Sequence, residues 1–433
     1  MSTAAPSVDA PSVGDFTAER FQRHLAELKG APDWWVTRKR AAYEKFASLP
    51  MPRRTDESWR FSTLTGLSLA APESAPAASV ELPTLHDVAT TARLSFIGNR
   101  LHQSSGLPAE LVAKGVIVTS FSDAARHERD LVEAHFMAQA QRLGSEKFAA
   151  LHAAFLSDGA FVFVPKGVEL TDPIVVGHAA NGQAAFPHTL VVLEENASAT
   201  VIDLFGGETP LAIGANDLYA GHGSRLTYIG VQNWAPSALS FQLNSTLARR
   251  DTRVQSLNLH LGGRQSRHES LSQLQAPGAF SEMLALTVAR EKQEFDQRTL
   301  QVHQAPNTKS DLLYKNALLD SAKTIFSGLI IVDPDAQKTD AYQSNRNLVL
   351  SENAEANSLP GLEIQANDVR CTHGATTSRL DPEQMFYLRA RGIPPAAAQQ
   401  ILVFGFFEEV LNRLAHEGIH AALRGLIEAK FRE

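Results

Sequence analysis

The stretch RVQSLNLHL, Arg253–Leu261, alternates without a break. Val254, Ser256, Asn258 and His260 fall on one side of an extended chain, and Gln255, Leu257, Leu259 and Leu261 on the other. Such a period of two reads as a β-strand with one polar and one apolar face. After PKGVEL (Pro165–Leu170) similar short runs follow one another, among them HTLVVLE, ATVIDLF, RLTYIGV, SEMLALTV, RTLQVH, DLLYKNALL and TIFSGLIIV. All are rich in Val, Ile, Leu and Thr and are separated by Gly, Asn, Asp or Pro. The centres of TVIDL, LTYIG, VQSLN and LALTV fall near 202, 228, 257 and 285. This recurrence points to stacked coils, and few Asn-Gly or Asp-Gly hairpin turns join the runs. Pattern alone leaves a jelly roll or another sandwich open.

Helical texture flanks this region. Between Phe16 and about Phe46, Phe21, Leu25 and Leu28 recur at helical steps, and a second helical stretch is expected from about Ser122 to Leu156. LPMPRRTDESWRFSTL (Leu49–Leu64) breaks the first helix with prolines, and SLAAPESAPAASVELP (Ser68–Pro83) reads as a linker with little to pack. From Asp381 an Asp-Pro signal starts a helix that breaks at Gly392–Pro395 and restarts through Leu414 or beyond. Its residues Ile401, Leu402, Phe404, Phe406, Phe407, Val410, Leu411 and Leu414 cover more than one stripe, so this helix is expected to pack on two surfaces. The expected division is a disordered lead-in (1–15), a mostly helical region (16–160), a strand core (161–378) and a C-terminal helical region (379–433).

Composition narrows the function. Forty Lys and Arg stand against 47 Asp and Glu, a formal charge of −7, with no basic block to neutralise a nucleic acid backbone. The single cysteine forms no intramolecular disulfide, which fits a reducing compartment. MSTAAPSVDAPSVGDF lacks the basic and apolar regions of a signal peptide, and no apolar run approaches the roughly 18 to 20 residues that span a bilayer. A cytoplasmic protein is the expectation.

HEGIH, His416–His420, matches the H-E-x-x-H zinc signature and makes a zinc-dependent hydrolase the alternative reading. Against it, Gly418 weakens the helix that must align the pair, Leu423 stands where the longer signature has glycine, and no third ligand is evident. Solvated helix residues are the plainer expectation. No Gly-Lys dipeptide and no G-x-S-x-G occur, so neither a P-loop nor a nucleophile elbow is present.

The remaining candidates lie in NDVRCTHGATTSRLD, Asn367–Asp381, which holds Cys371 and, two positions on, His373. If DVRCTHG is a strand, both side chains share a face with Val369, and Gly374 is expected to end the strand. Thiolate and imidazole suit iron or zinc, yet two ligands do not complete a tetrahedral site, so any metal is shared or transient. A buried small residue beside a core histidine, or a cysteine nucleophile, remain open readings of the same residues.

Longer stretches add a resemblance. VDPDAQKTDAYQSNRNLVLSENAEANSLPGLEIQANDVRCTHGATTSRLDPEQMFYLRARGI (Val332–Ile393) closely resembles the SufB/SufD family of the SUF iron–sulfur cluster assembly system. LPMPRRTDESWRFSTL is similar to that family's Pro-Arg-Arg-x-Glu-x-Trp-Arg element, and VPKGVEL to the entry of its core. With one cysteine the chain looks like the SufD branch, since SufB carries more. The resemblance implies a mainly β fold, a right-handed parallel β-helix between helical N- and C-terminal regions, and no enzymatic activity of its own. It implies pairing with SufB through the β-helices and binding of the SufC ATPase through the C-terminal helices; a homodimer of the chain alone, using two copies of the Cys371 region, is an alternative assembly. It also implies a transient iron–sulfur cluster shared with SufB, with His373 and Cys371 as candidate metal ligands, and reduced flavin in the complex. Thr372 is the one departure from the family's Cys-Ser-His-Gly segment.

Overall fold

The structure, a computed structural model, describes residues 12–73, 80–85 and 87–432. Helices α1 (Ala18–Glu27) and α2 (Asp33–Ser48) lead into strands β1 (Ala92–Ile97) and β2 (Arg100–Ser104), helix α3 (Ala109–Ala113) and strand β3 (Ile117–Ser120). Helices α4 (Phe121–His127), α5 (Arg129–His135) and α6 (Glu146–Phe155) follow. The chain then runs through β4 (Ala160–Val164), β5 (Ile174–Asn181), β6 (His188–Leu193), β7 (Ser198–Glu208), β8 (Leu211–Ala220), β9 (Arg225–Trp234), β10 (Leu239–Ala248) and β11 (Arg253–His260). It continues through β12 (Gln265–Leu274), β13 (Phe280–Ala289), β14 (Glu294–His303), β15 (Lys309–Leu318), β16 (Lys323–Val332), β17 (Asp340–Val349), β18 (Glu355–Ile364) and β19 (Arg370–Ser378). Helices α7 (Pro382–Ala390), α8 (Pro395–Leu411) and α9 (Glu417–Arg432) close it.

From β5 onward successive strands alternate between two parallel sheets, the odd strands in one and the even strands in the other. The result is a β-solenoid of about 8 turns, as the spacing of the strand runs suggests. Ile202, Ile229, Leu257, Leu284 and Leu313 stand in register along the odd sheet, so the true repeat passes through 229 and 284 rather than 228 and 285. The corners stack as well. Asn196, Gly223, Asp251, Gly278 and Asn307 all adopt positive φ, and the amide of each reaches a carbonyl of the next coil. Asn and Asp tolerate that conformation. Gly223 and Gly278 have a further reason: a Cβ there would lie 2.1 Å from Asn196 Oδ1 and 2.0 Å from Asp251 Oδ1.

The alternation of Arg253–Leu261 is present, with its polar face inward. Ser256, Asn258 and His260 point into the lumen, while Leu257, Leu259 and Leu261 point outward beneath Val403, Phe404, Phe407, Val410 and Leu411 of α8 and Leu423 and Ile427 of α9. The outer face of the even sheet is covered likewise by α1, α2 and α6, whose Phe21, Phe46 and Phe148 join Phe16 and, on β10 itself, Phe241 in one cluster. Helices therefore shield both outer faces from water, and the lumen can hold hydrogen-bonded polar side chains.

Several expectations change in detail. The 16–46 helix is two, broken where Gly30 takes φ 72° ahead of Pro32, and the 122–156 stretch is three short helices. Strands β1 to β3 lie within residues 16–160 and join the two sheets. The lead-in expected at 1–15 lies outside the described residues up to 11, and Asp15 bonds through its amide to Leu69 O at 3.2 Å. Leu69 and Ala71, in the supposed linker, are buried, because they meet the aromatic cluster under α1 and α6. The PRRTDESWR element is a strap across the even sheet: Arg267 donates to Ser58 O (2.8 Å) and lies 3.9 Å over the Trp59 ring, and Arg298 donates to Arg60 O (2.8 Å). No helix among the described residues is long and apolar enough to cross a membrane.

Candidate functional site

Strand β19 lies along β17, with Cys371 opposite Ala341, His373 opposite Gln343 and Ala375 opposite Asn345. Ala341, Gln343 and Asn345 face the lumen, so the cysteine and the histidine share the inner face, as the period of two requires. Gly374 does not end the strand. β19 continues to Ser378, and a Cβ at Gly374 would meet nothing within 4 Å, so neither a turn nor a close approach demands glycine there.

What sets this pair apart is the missing next coil. β18 and β19 are the last strands of their sheets, each with one unpaired edge. Lumen-facing side chains that would be buried elsewhere are uncovered here: Cys371 is half-buried, and His373, Ala375 and Thr377 are exposed. Cys371 packs against Ile330, Val332, Ala341 and Ala366. Burial pushes its thiol pKa up, and the Asp340 carboxylate adds to this. The thiol is therefore protonated at neutral pH and gives up its proton only to a metal or another base.

A polar ladder lies behind the rung. Gln297 Nε2 donates to Thr287 Oγ1 (2.8 Å) and Asn316 Oδ1 (3.0 Å), and Asn316 Nδ2 to Asn347 Oδ1 (2.8 Å). Asn347 Nδ2 and Ser358 Oγ both donate to Asn345 Oδ1, at 2.9 and 2.6 Å. Asn345 Nδ2 and Gln343 Oε1 are buried and have no partner. Sequence reasoning missed Gln343 and Asn345. The available signal was weak: polar residues recurring at the coil period on one face, as in His260, Thr287, Asn316 and Asn347, which share register.

The H-E-x-x-H residues do other work. His416 precedes α9 and its Nδ1 accepts from Ile419 N (3.2 Å), capping the helix. His420 Nε2 meets Glu408 Oε2 at 3.1 Å, and Arg424 binds the other oxygen of that carboxylate at 2.7 Å. These imidazoles serve a helix cap and a hydrogen bond to a carboxylate rather than a common centre. Among the described residues no group of three or more His, Cys, Asp or Glu is placed to hold a metal ion.

A second surface stands out in the C-terminal region. Asp381 caps α7, its side chain accepting from Glu383 N, and α7 lies beside α8. Between them an open cleft of about 920 Å³ is lined by Pro382, Phe386, Tyr387, Leu388, Ile401 and Leu402. Phe386 is 74% exposed, Tyr387 57% and Ile401 49%. Helix α8 thus buries one side on the solenoid and offers the other, as its broad apolar surface suggests.

Comparison with known proteins gives these features a family. Residues 175–406 match the family described as "SUF system FeS cluster assembly, SufBD core domain", and residues 84–176 match "SufBD protein N-terminal region". The chain is 29% identical to the iron–sulfur cluster assembly protein SufD of Bacillus subtilis, over 95% of this chain and 97% of that one. It is 30% identical to the protein of the same name from Escherichia coli, over 85% and 86%. It is also 29% identical to the iron–sulfur cluster assembly SufBD family protein slr0076 of Synechocystis, over 94% of each. With both parts of its solenoid architecture matched, the chain belongs to the SufB/SufD family of the SUF iron–sulfur cluster assembly system.

Proposed function

We propose that this chain is a SufD-type scaffold subunit, without catalytic activity in isolation, which helps to build an iron–sulfur cluster at the open end of its solenoid. The observation that carries the reading is the uncovered last coil, where two unpaired strand edges frame a half-set of soft metal ligands, Cys371 and His373. Free edges of nine and ten residues are templates for another chain. A SufB-type solenoid added there supplies the missing ligands, and the cluster is cargo shared by the two chains. His373 is the leading ligand because it is exposed. Cys371 follows, since its thiol must first lose a proton.

The apolar cleft between α7 and α8 is the docking site for the SufC ATPase. Because α8 also packs on the odd sheet beneath Leu257, Leu284 and Leu313, work done on the cleft reaches the coils that lead to the open end. The test is reconstitution with SufB and SufC. His373→Ala is expected to lose most of the cluster yield, and a full yield rejects the ligand assignment. Phe386→Asp with Ile401→Asp is expected to abolish SufC co-purification without lowering thermal stability; unchanged co-purification rejects the docking site. Size measurement with and without SufB separates this heteromer from a pair of identical chains.

A further inference from the structure

Three titratable side chains form a row beneath the N-terminal helices, on the outer face of the even sheet. His152 of α6 places Nδ1 2.7 Å from Ile213 O and Nε2 3.1 Å from Nδ1 of His188 on β6. His188 Nε2 faces Asp217 Oδ2 of β8 at 3.5 Å and has no other partner. The same Asp217 oxygen accepts from Met137 N (2.7 Å), in the loop between α5 and α6. All three side chains are buried, with Phe121 and Phe136 packed on the His188 ring, so no substrate meets them. The hydrogens along the row can be counted. A carbonyl only accepts, so His152 Nδ1 carries a hydrogen and, in a neutral ring, Nε2 is bare. His188 Nδ1 must then donate to it, which leaves His188 Nε2 bare in turn. If Asp217 is ionised as well, two acceptors face each other in a dry site and neither is satisfied. One further proton completes the row, and a neutral acid beside a neutral ring avoids burying two charges.

The other charged or titratable groups around the row are Arg38 and Lys39 of α2, His178 of β5 and Tyr219 of β8. Burial raises the Asp217 pKa to about 7 against the pull of Met137 N and of Arg38, whose guanidinium is spent on Phe136 O and Glu133 O. Lys39 opposes a charge on His152, and His178 one on His188. Tyr219 donates to His135 O (2.8 Å), next to the same loop. We propose that Asp217 holds the proton at neutral pH and donates it to His188, and that this proton is a pH-sensitive latch between the N-terminal helical region and the even sheet. With it, hydrogen bonds run unbroken from α6 through β6 to β8 and the α5–α6 loop. Its loss to base sets a carboxylate against a bare nitrogen and loosens the seam. The latch is a property of the chain alone and does not depend on the assembly reading above.

Infrared spectra of the full chain labelled with ¹³C-carboxyl aspartate test where the proton lies. At about pH 6 the wild type is expected to show the stretch of a protonated aspartate carboxyl, and Asp217→Asn to lose part of it. Asp203, also raised to about 7 by burial, adds a band of its own that Asp203→Asn removes. In ¹⁵N-histidine spectra of the wild type, His152 and His188 are expected to be protonated at Nδ1 and bare at Nε2. Amide hydrogen exchange in α6, corrected for its intrinsic pH dependence, is expected to quicken at least about tenfold between about pH 6 and pH 9, and to stay level in Asp217→Asn, which has no proton to lose. An undiminished band in a folded Asp217→Asn, a His188 ring protonated at both nitrogens, or wild-type exchange indifferent to pH overturns the proposal. If Asp217→Asn does not fold, the wild-type ring and exchange readings decide alone, and an Asp203→Asn spectrum with no protonated aspartate band overturns it as well.

Discussion

The two ends of the solenoid are finished differently. At the N-terminal end β2 turns back antiparallel on β1, and β3 runs antiparallel to β4, so both sheets end in strands that break the parallel series. Leu107, Leu111, Val116 and Val118 plug the lumen there against Leu94, Phe96 and Val162. At the C-terminal end β18 and β19 simply stop, and the last rung, with His373, Ala375 and Thr377, stands exposed in front of the buried polar ladder. Parallel coils always leave such an end, and a lone chain must cover it or use it. This chain covers one end with its own residues and leaves the other uncovered.

The sharpest way to break the contrast is to truncate one lumen-facing side chain at each end. Phe96→Ala, at a residue stacked on His178 inside the closed end, is expected to cost about 3–5 kcal/mol in chemical denaturation. Thr377→Ala at the open end is expected to change stability by about 0.5 kcal/mol or less. Equal losses would show that the open end is covered in the isolated chain.

Acid should act on the body and spare the open end. His152 and His303 are pushed down to about 4 and His178 and His268 to about 3, in each case chiefly by burial. Each stays neutral in the fold and charges in the unfolded chain near its ordinary pKa of about 6.5. Stability is therefore full above that value and is lost as pH falls toward the folded values. Burial acts in the opposite sense on Asp203 and Asp217, both raised to about 7, whose contribution is full below about 4 and lost as pH rises through 7. The histidines outnumber them, so melting temperature is expected to drop steadily from pH 6.5 to pH 4. A flat profile would refute the neutral burial of these rings.

Gly328→Ala brings a Cβ to 2.5 Å from Gln343 Oε1 and 2.6 Å from Phe326 Cζ. A loss of about 1–3 kcal/mol in thermal or chemical melts is expected. The smallest effect on the isolated chain is expected from Ala375→Glu, on an exposed rung: an unchanged melt, with binding to a SufB-type partner at least about tenfold weaker. Unchanged affinity would place the partner elsewhere.

Much of this was legible in the chain. Alternation in Arg253–Leu261 and the recurrence of similar runs announced stacked strands, because side chains must alternate on an extended backbone and each coil repeats the same path. The same argument placed Cys371 and His373 on one face. It could not say that Gly374 lies mid-strand, since a glycine marks a possible end without enforcing one. Nor could HEGIH be assigned from spacing: Glu408 and Ile419, which engage its two histidines, are brought there by the packing of α8 and α9.

The sequence by itself determined the local periods, the corner residues that accept positive φ, and the pairing of one thiol with one imidazole. Only the tertiary structure decided which face is inside. A strand with leucines on one side and Ser, Asn and His on the other is ordinarily read with its leucines inward, and here the reverse holds. Helices from both ends of the chain cover the outer faces, and polar side chains from successive coils satisfy one another within the lumen. Whether a polar residue is solvated, buried in a ladder or uncovered at a free end depends on how many coils follow it, and no local pattern carries that number.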